Sequence, residues 1–265
     1  MKIVRVLNTN AVVSTDLKGQ EIIITGAGIG FKKKKGEDLD KSLVEKIYCL
    51  KSPEDNHRLQ QVVSEISEKY LEIAGQTVQA ARNAGLKVRD TLYVTLTDHM
   101  NSAVERYQGG ISLKNMMRSE IRKFYPQEYR IGCQAVKWIE KKTGIDLGED
   151  EAAFIAMHIV LSLIHNAIIK IVKMHFRIDF DEDSVSYQRF LTHLKFFSAR
   201  ILDGEVYQDS MEEIYRAMVA QNSRAYTGVE KVAQFIEKQY GYRLSIDEEL
   251  YLLIHIKRIL DEQQE

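Results

Sequence analysis

Four histidines stand at equivalent places in two copies of an internal sequence repeat. Segments 138–144 and 235–241 share the pattern aromatic-Ile-Glu-Lys-X-X-Gly, and each leads to an Asp-Glu pair and then a histidine. The spacing from the glycine to that histidine is the same for Gly144 and His158 as for Gly241 and His255. Agreement at so many positions indicates a duplicated structural unit.

Each copy also carries an upstream histidine with an arginine seven residues later, His99 with Arg106 and His193 with Arg200. Seven residues make two helical turns, so each histidine shares a helix face with its arginine. A neutral imidazole is a nucleophile near pH 7 and carries a phosphoryl group, which an arginine binds. The pattern predicts phosphorylation at all four histidines, with Arg106 and Arg200 as neighbours of the phosphate: His99, His158, His193 and His255.

Two other roles for these histidines remain open. A histidine on an apolar helix is commonly a core residue bonded to a backbone carbonyl, although recurrence in both copies argues against this. Two histidines per copy with Asp98 or Glu151 would also supply metal ligands, but neither an HxxxH nor an HExxH spacing occurs. We therefore expect no metal and no cofactor.

Helices must position these side chains. From about residue 58 apolar residues recur at three- and four-residue spacing, in segments 59–74, 90–108, 111–124, 131–143 and 150–164. The repeat glycine is typical of a helix C-cap, and the Asp-Glu pair of the first turn of the next helix. We predict two all-α helical-bundle domains, at 56–165 and 166–265.

Residues 1–50 differ from the rest of the chain in composition and in the spacing of apolar residues. Short runs rich in β-branched residues at 2–7, 10–13 and 21–25 alternate with turn residues, and 43–50 supplies a fourth run. The pattern predicts a small antiparallel β-sheet domain over 1–55, with a hinge at 52–55. A sheet of this size buries little core by itself, so we expect it to be dimeric.

The composition is that of a soluble globular protein. The 265 residues are 45% hydrophobic and 28% charged, with a net charge of −1. Cys49 and Cys133 match neither a disulfide framework nor a zinc site. The N-terminus lacks the apolar core of a signal peptide, and the apolar stretch 154–164 is too short to span a bilayer. We expect a cytoplasmic protein without membrane insertion.

Over essentially its whole length the chain resembles the BglG/SacY family of bacterial transcriptional antiterminators. Such proteins join a dimeric RNA-binding β domain to two phosphotransferase-system regulation domains. The resemblance lies in MKIVRVLNTN (1–10), GAGIGF (26–31), LTDH (96–99), DEAAFIAMH (150–158), FLTHLKFF (190–197) and LLIH (252–255).

The resemblance implies a switch rather than an enzyme. It would bind an RNA hairpin in the mRNA leader of a sugar-utilisation operon and so prevent a terminator from forming. Phosphate placed on the first helical domain through a sugar permease would inactivate it, and phosphate from the carrier protein HPr on the second would activate it.

The resemblance also implies RNA contacts in the β domain, at Arg5, Asn8, Asn10, Gly26 and Phe31. Asparagine amides read base edges, glycine allows close approach, and an aromatic ring stacks on an unpaired base. Residues 1–50 hold nine Lys and Arg against six Asp and Glu, and the lysine run 32–35 suits phosphates. Ala27 stands where many relatives have arginine, so one charged contact is absent.

One further departure from the family and two alternatives remain. Relative to the first copy, the second copy is shortened at its start, around 159–172, as if an interdomain linker and part of a helix were missing. A phosphohistidine-regulated activator that binds DNA would need a helix-turn-helix, whereas 1–50 predicts strands; a regulator without RNA binding is the related case. A metal-dependent hydrolase would need a convergent metal site.

Overall fold

The computed structural model describes residues 1–16, 19–49, 53–181, 184–203 and 211–263. The chain divides into two compact units, Met1–Ser162 and Leu163–Glu265. The first unit contains a β-sheet and helices, and the described part of the second is helical.

The N-terminal sheet is antiparallel, with its four strands in sequence order. Val12 pairs with Ile24 in the central register, and Ile24 with Ile47 at the next strand. The predicted fold class, a small antiparallel sheet followed by helical domains, is confirmed. The strands are β1 (Arg5–Asn8), β2 (Ala11–Thr15), β3 (Glu21–Thr25) and β4 (Lys46–Tyr48).

Both faces of this sheet are covered. Side chains alternate along a strand, and on one face Val12, Ile22 and Ile24 pack with Ile29 and Leu39 from the segment between β3 and β4. On the other face Val13 and Ile23 are fully buried, and the first helix contacts β1, β2 and β3. This first helix, which follows β4 in the chain, thus buries the apolar face that a small sheet would otherwise leave exposed.

The described residues of the first unit form five α-helices and the start of a sixth. Pro53, in the predicted hinge, is the first residue of α1, and 50–52 lie outside the described residues. The predicted helix 59–74 is wrong in its extent: α1 ends at Glu65, and the extended Ser67 is the N-cap of α2. The helices are α1 (Pro53–Glu65), α2 (Glu68–Asn83), α3 (Thr91–Gln108), α4 (Arg118–Phe124), α5 (Pro126–Thr143) and α6 (Gly148–Phe176).

The second unit repeats the glycine-capped arrangement of the first. Gly241 follows its helix with φ of 66°, and Gly144 follows α5 with φ of 75°. This left-handed conformation strains other residues, so the predicted C-caps are confirmed. After the end of α6 the helices are α7 (Val185–Asp203), α8 (Glu212–Gln221), α9 (Ser223–Tyr240) and α10 (Ile246–Glu262).

The start of the second copy lies within α6. In the first unit, α2 contacts α3 and α5. In the second, the end of α6 contacts α7 through His165 Nε2 and Leu194 O at 3.0 Å, and α9 through His175 Nε2 and Thr227 Oγ1 at 2.7 Å. The helix that carries His158 therefore continues into the position that α2 holds in the first copy.

Among the described helices α6 is the one long and apolar enough to cross a membrane. The expectation that its apolar stretch is too short is wrong, because the helix has 29 residues. More than half of its apolar window is nevertheless buried inside the protein, including Ile155 and Ile168. A core helix of a soluble protein has the same length and composition.

Candidate functional site

The fold brings the four predicted histidines together as two pairs. His99 from α3 lies against His158 from α6, with ring centroids 4.5 Å apart. His193 from α7 lies against His255 from α10, with centroids 4.4 Å apart. Equivalent elements of the two copies thus place equivalent side chains in contact.

The downstream histidine of each pair is held neutral. Burial, together with the neighbouring His99, lowers the pKa of His158 to about 3. Burial and the positive groups His193, Arg258 and Arg189 lower the pKa of His255 to about 4. A neutral ring retains the lone pair that a nucleophile requires.

A glutamate closes the first pair. His99 Nε2 lies 2.5 Å from Glu151 Oε1, as a close contact rather than an aligned hydrogen bond. Arg106 Nη2 lies 3.8 Å from the other oxygen of the same carboxylate. The His99 side chain is only 15% exposed. Arg106 shares the face of His99 as predicted, and the two side chains share a carboxylate partner.

The equivalent glutamate of the second pair has other partners. Arg200 Nε donates to Glu248 Oε1 at 3.1 Å, and the Tyr242 hydroxyl donates to the same carboxylate at 3.0 Å. The backbone N–H of Ser245 donates to Oε2 at 3.0 Å within a capping box. Burial and the Glu248 charge raise the pKa of Tyr242, so this hydroxyl keeps its proton.

His193 is exposed and stacks against Tyr251, with ring centroids 5.9 Å apart. A cavity of about 220 Å³ opens beside the pair, lined by His193, His255, Arg200 and Tyr251. Imidazole, guanidinium and aromatic groups converge there, and the acidic residues Asp247 and Glu248 also line the cavity. The second pair is therefore an accessible site with a cation at its wall.

The sequence analysis names Glu151 only as a possible metal ligand and does not single out Glu248 or Tyr242. Glu151 precedes His158 by seven residues, as Glu248 precedes His255. That spacing puts both side chains on one helix face and is a signal for the contact. Within the described residues no cluster of three or more His, Cys, Asp or Glu side chains is arranged to bind a metal ion.

In the β domain, two of the predicted RNA contacts organise the glycine loop. Asn8 Oδ1 accepts from the N–H of Asn10 at 2.8 Å, and Asn10 Oδ1 accepts from the N–H of Gly28 at 2.9 Å. A Cβ on Gly26 would lie 1.7 Å from the carbonyl oxygen of Leu43. The glycine there permits close approach of the chain to itself.

Helix α1 engages Arg5 and Asn8. Asn8 Nδ2 donates to the Val63 carbonyl at 2.7 Å. Arg5 donates to the Gln60 side chain, whose own N–H donates to Glu21 at 2.7 Å. Phe31, by contrast, is 58% exposed, with the Lys32 ammonium 5.3 Å from its ring centre. Phe31 is thus exposed to solvent, whereas Arg5 and Asn8 form hydrogen bonds within the protein.

The chain is similar throughout its length to known regulators. The CAT RNA binding domain matches residues 1–57, and the PRD domain matches 76–162 and 166–259. Transcription antiterminator LicT of Bacillus subtilis is 35% identical over 98% of this chain and 99% of its own. The Beta-glucoside operon antiterminator of Dickeya chrysanthemi is 34% identical over 100% of this chain and 99% of its own.

The crystal structure of GlcT CAT-PRDI superposes with a TM-score of 0.50 at 30% identity, covering 61% of this chain and 97% of that one. These relatives are regulators rather than enzymes, and transcription antiterminators act in the cytoplasm. The chain therefore belongs to the family of RNA-binding transcription antiterminators that join a CAT domain to PRD domains regulated by the phosphotransferase system.

Proposed function

We propose that this cytoplasmic protein binds a hairpin in the leader of a sugar-utilisation mRNA, and that phosphoryl groups on its two histidine pairs control that binding. The observation that carries the proposal is the pairing itself: equivalent elements place His99 on His158 and His193 on His255. A phosphate adds about −1.5 to −2 charges, by analogy with phosphoserine, and such a change shifts a balance between conformations.

For the RNA site we propose Arg5, Asn8, Asn10, Gly26 and Phe31. The exposed Phe31 ring offers a surface for an unpaired base, and the lysines at 32–35 lie beside it for phosphates. Arg5 and Asn8 would reach RNA only after leaving Gln60 and Val63. RNA binding would therefore require α1 to move, and a homodimer of β domains would then cover the sheet face that α1 leaves.

For the phosphoryl donors we propose HPr and a sugar permease. The PRD matches support an interaction with phosphotransferase components. The cavity beside His193 is open to a protein donor, and Arg200 at its wall would neighbour the arriving phosphate, as Arg106 would at the first pair. The chain would accept phosphate from other proteins, so we assign it no catalytic centre of its own.

The domain boundaries are also a proposal: 1–55 for RNA binding, 56–165 and 166–265 for regulation, the last shortened at its start. The continuous α6 supports a natural fusion of the two regulatory domains, since one helix serves both copies. Intact mass spectrometry of the natural protein tests this. A mass of 30.6 kDa excludes an omitted linker, and a larger mass supports one.

A gel shift with the full-length chain tests the proposed function. The probes are a leader-type RNA hairpin, the same hairpin with a mismatched stem, and duplex DNA. We expect binding to the intact hairpin that weakens with salt and is lost with Phe31→Ala. Binding to duplex DNA alone would indicate the DNA-binding activator, and failure to bind any probe would indicate a regulator that acts without nucleic acid.

A further inference from the structure

The carboxylates of Glu151 and Glu248 hold equivalent sequence positions and each lies near the arginine of its own copy, but their other partners differ. Glu151 contacts His99, the upstream histidine of its pair, at 2.5 Å. Glu248 instead accepts hydrogen bonds from Tyr242, Arg200 and the Ser245 backbone. The duplicated unit has therefore diverged at the acid that lies closest to its phosphoacceptor.

Two substitutions between the copies account for the divergence. Tyr242, which donates to Glu248, has Ile145 as its counterpart, and isoleucine has no donor. Ser245, whose backbone N–H donates to Glu248 Oε2 at 3.0 Å, has Gly148 as its counterpart, and the Gly148 N–H donates instead to Asp146 Oδ1 at 2.9 Å. Without these two donors, the Glu151 carboxylate lies against His99 and within 3.8 Å of Arg106.

The contact has a direct consequence for phosphoryl transfer. A phosphoryl group bound to His99 Nε2 would occupy the space of Glu151 Oε1, and its negative charge would repel that carboxylate. At the second pair the Glu248 charge is already matched by Arg200 and two further donors, and His193 is exposed beside a cavity. The two histidine pairs thus differ in how easily the upstream histidine can accept a phosphoryl group.

We propose that Glu151 is a latch on the first histidine pair, whose carboxylate must leave His99 before that ring accepts phosphate. Tyr242 has the opposite effect in the second copy, because its hydrogen bond holds Glu248 in the helix cap and away from His193, which stays accessible. Both are positioning residues. The inference rests on the proposed role of the histidines as phosphoacceptors, and it explains how one fold offers one latched and one open site.

Phosphoramidate tests the latch without a protein donor. The ring nitrogen attacks phosphorus, the new N–P bond forms as the P–NH₃ bond breaks, ammonia leaves, and the ring loses its N–H proton to buffer. The rate at each histidine of the full-length protein is measured by peptide mass spectrometry under mildly alkaline conditions. The rate at His193 within the same molecule is the internal reference.

We expect His193 to be phosphorylated faster than His99 in the unmodified chain. Glu151→Gln should accelerate His99 roughly fivefold, the rate ratio that corresponds to a barrier lower by about 1 kcal/mol, and leave His193 unchanged. Glu149→Gln, in the same helical turn but exposed, is the matched control. Ile145→Tyr should also accelerate His99, although Glu151 is still present, because the added hydroxyl attracts its carboxylate.

The reciprocal variant, Tyr242→Phe, should slow His193. A His99 rate that is unchanged or lower in Glu151→Gln would overturn the latch and indicate that Glu151 activates the ring. If Ile145→Tyr melts at a lower temperature than the parent, the near-isosteric Glu151→Gln decides alone. If no variant is phosphorylated at either His99 or His193, the phosphoacceptor assignment fails and the latch with it; phosphorylation with unaltered ratios refutes only the latch.

Discussion

Replacing Gln60 by alanine should weaken the fold and strengthen RNA binding at the same time. Gln60 is a buried residue of α1 that accepts from Arg5 and donates to Glu21 at 2.7 Å. Through these bonds and the Asn8–Val63 contact, α1 occupies two of the proposed RNA contacts. The variant removes bonds to charged partners without touching a residue assigned to RNA.

The magnitude follows from those two bonds. Hydrogen bonds to charged groups are worth about 1.5–3 kcal/mol each, but Arg5 and Glu21 are nearly half exposed, so solvent screening reduces the pair to about 1–2 kcal/mol. If α1 competes with RNA, apparent affinity rises as the closed state weakens. A change of this size corresponds to a gain of about 5- to 30-fold.

Two measurements on the full-length chain test the reasoning. Urea unfolding gives the loss of stability, and fluorescence anisotropy with a labelled hairpin gives the affinity, with the exposed neighbour Gln61→Ala as the matched control. Lower stability with higher affinity supports competition by α1. Affinity that falls along with stability, or does not change, refutes it, because α1 would then support the RNA-binding surface or be irrelevant to it.

Two further predictions concern stability. Gly26→Ala should lower the unfolding free energy by about 1–3 kcal/mol, because its Cβ would overlap the Leu43 carbonyl; Asn83→Ala, at the exposed end of α2, should change it much less in the same thermal melts. His158 and His255 have folded pKa values of about 3 and 4, below the unfolded value near 6.5. The unfolded state therefore binds more protons below pH 6.5, so stability is full above that pH and declines as pH falls towards the folded values. Free energies of unfolding from urea titrations at pH 5 and 7 should differ by at most about 2 kcal/mol per histidine, and the difference should shrink in His158→Gln and His255→Gln. A pH-independent midpoint in the parent would contradict the assigned neutral state.

The sequence predicted the features that depend on periodicity. The repeat predicted that His99 and His158 hold places equivalent to those of His193 and His255, and the structure places them as two equivalent pairs, because helical spacing and the glycine caps recur in both copies. The strands of the β domain followed from alternation in the same way. These features arise from the spacing of residues close together in the sequence, and tertiary contacts then bring the elements together.

Features that depend on a choice of partner were not predictable. Both glutamates follow an aspartate and precede a histidine by seven residues, and the differences at Ile145/Tyr242 and Gly148/Ser245 separate their contacts. The apolar residues Leu59 and Val63 mark α1 as amphipathic, but nothing in their spacing selects the β-sheet as the surface they bury. No helix breaker follows His158, yet the periodicity alone did not reveal how far α6 continues.

The helix over the sheet also determines what a shortened fragment would report. A chain cut after β4 exposes Val13 and Ile23, which are completely buried beneath α1 in the intact protein. At about 25 cal/mol per Å² of apolar surface, water imposes a strong drive to cover that face, and another fragment offers the same bare surface. Self-association of the excised β domain would then result from the loss of α1. Its affinity for RNA would exceed that of the intact chain, because α1 no longer competes for Arg5 and Asn8.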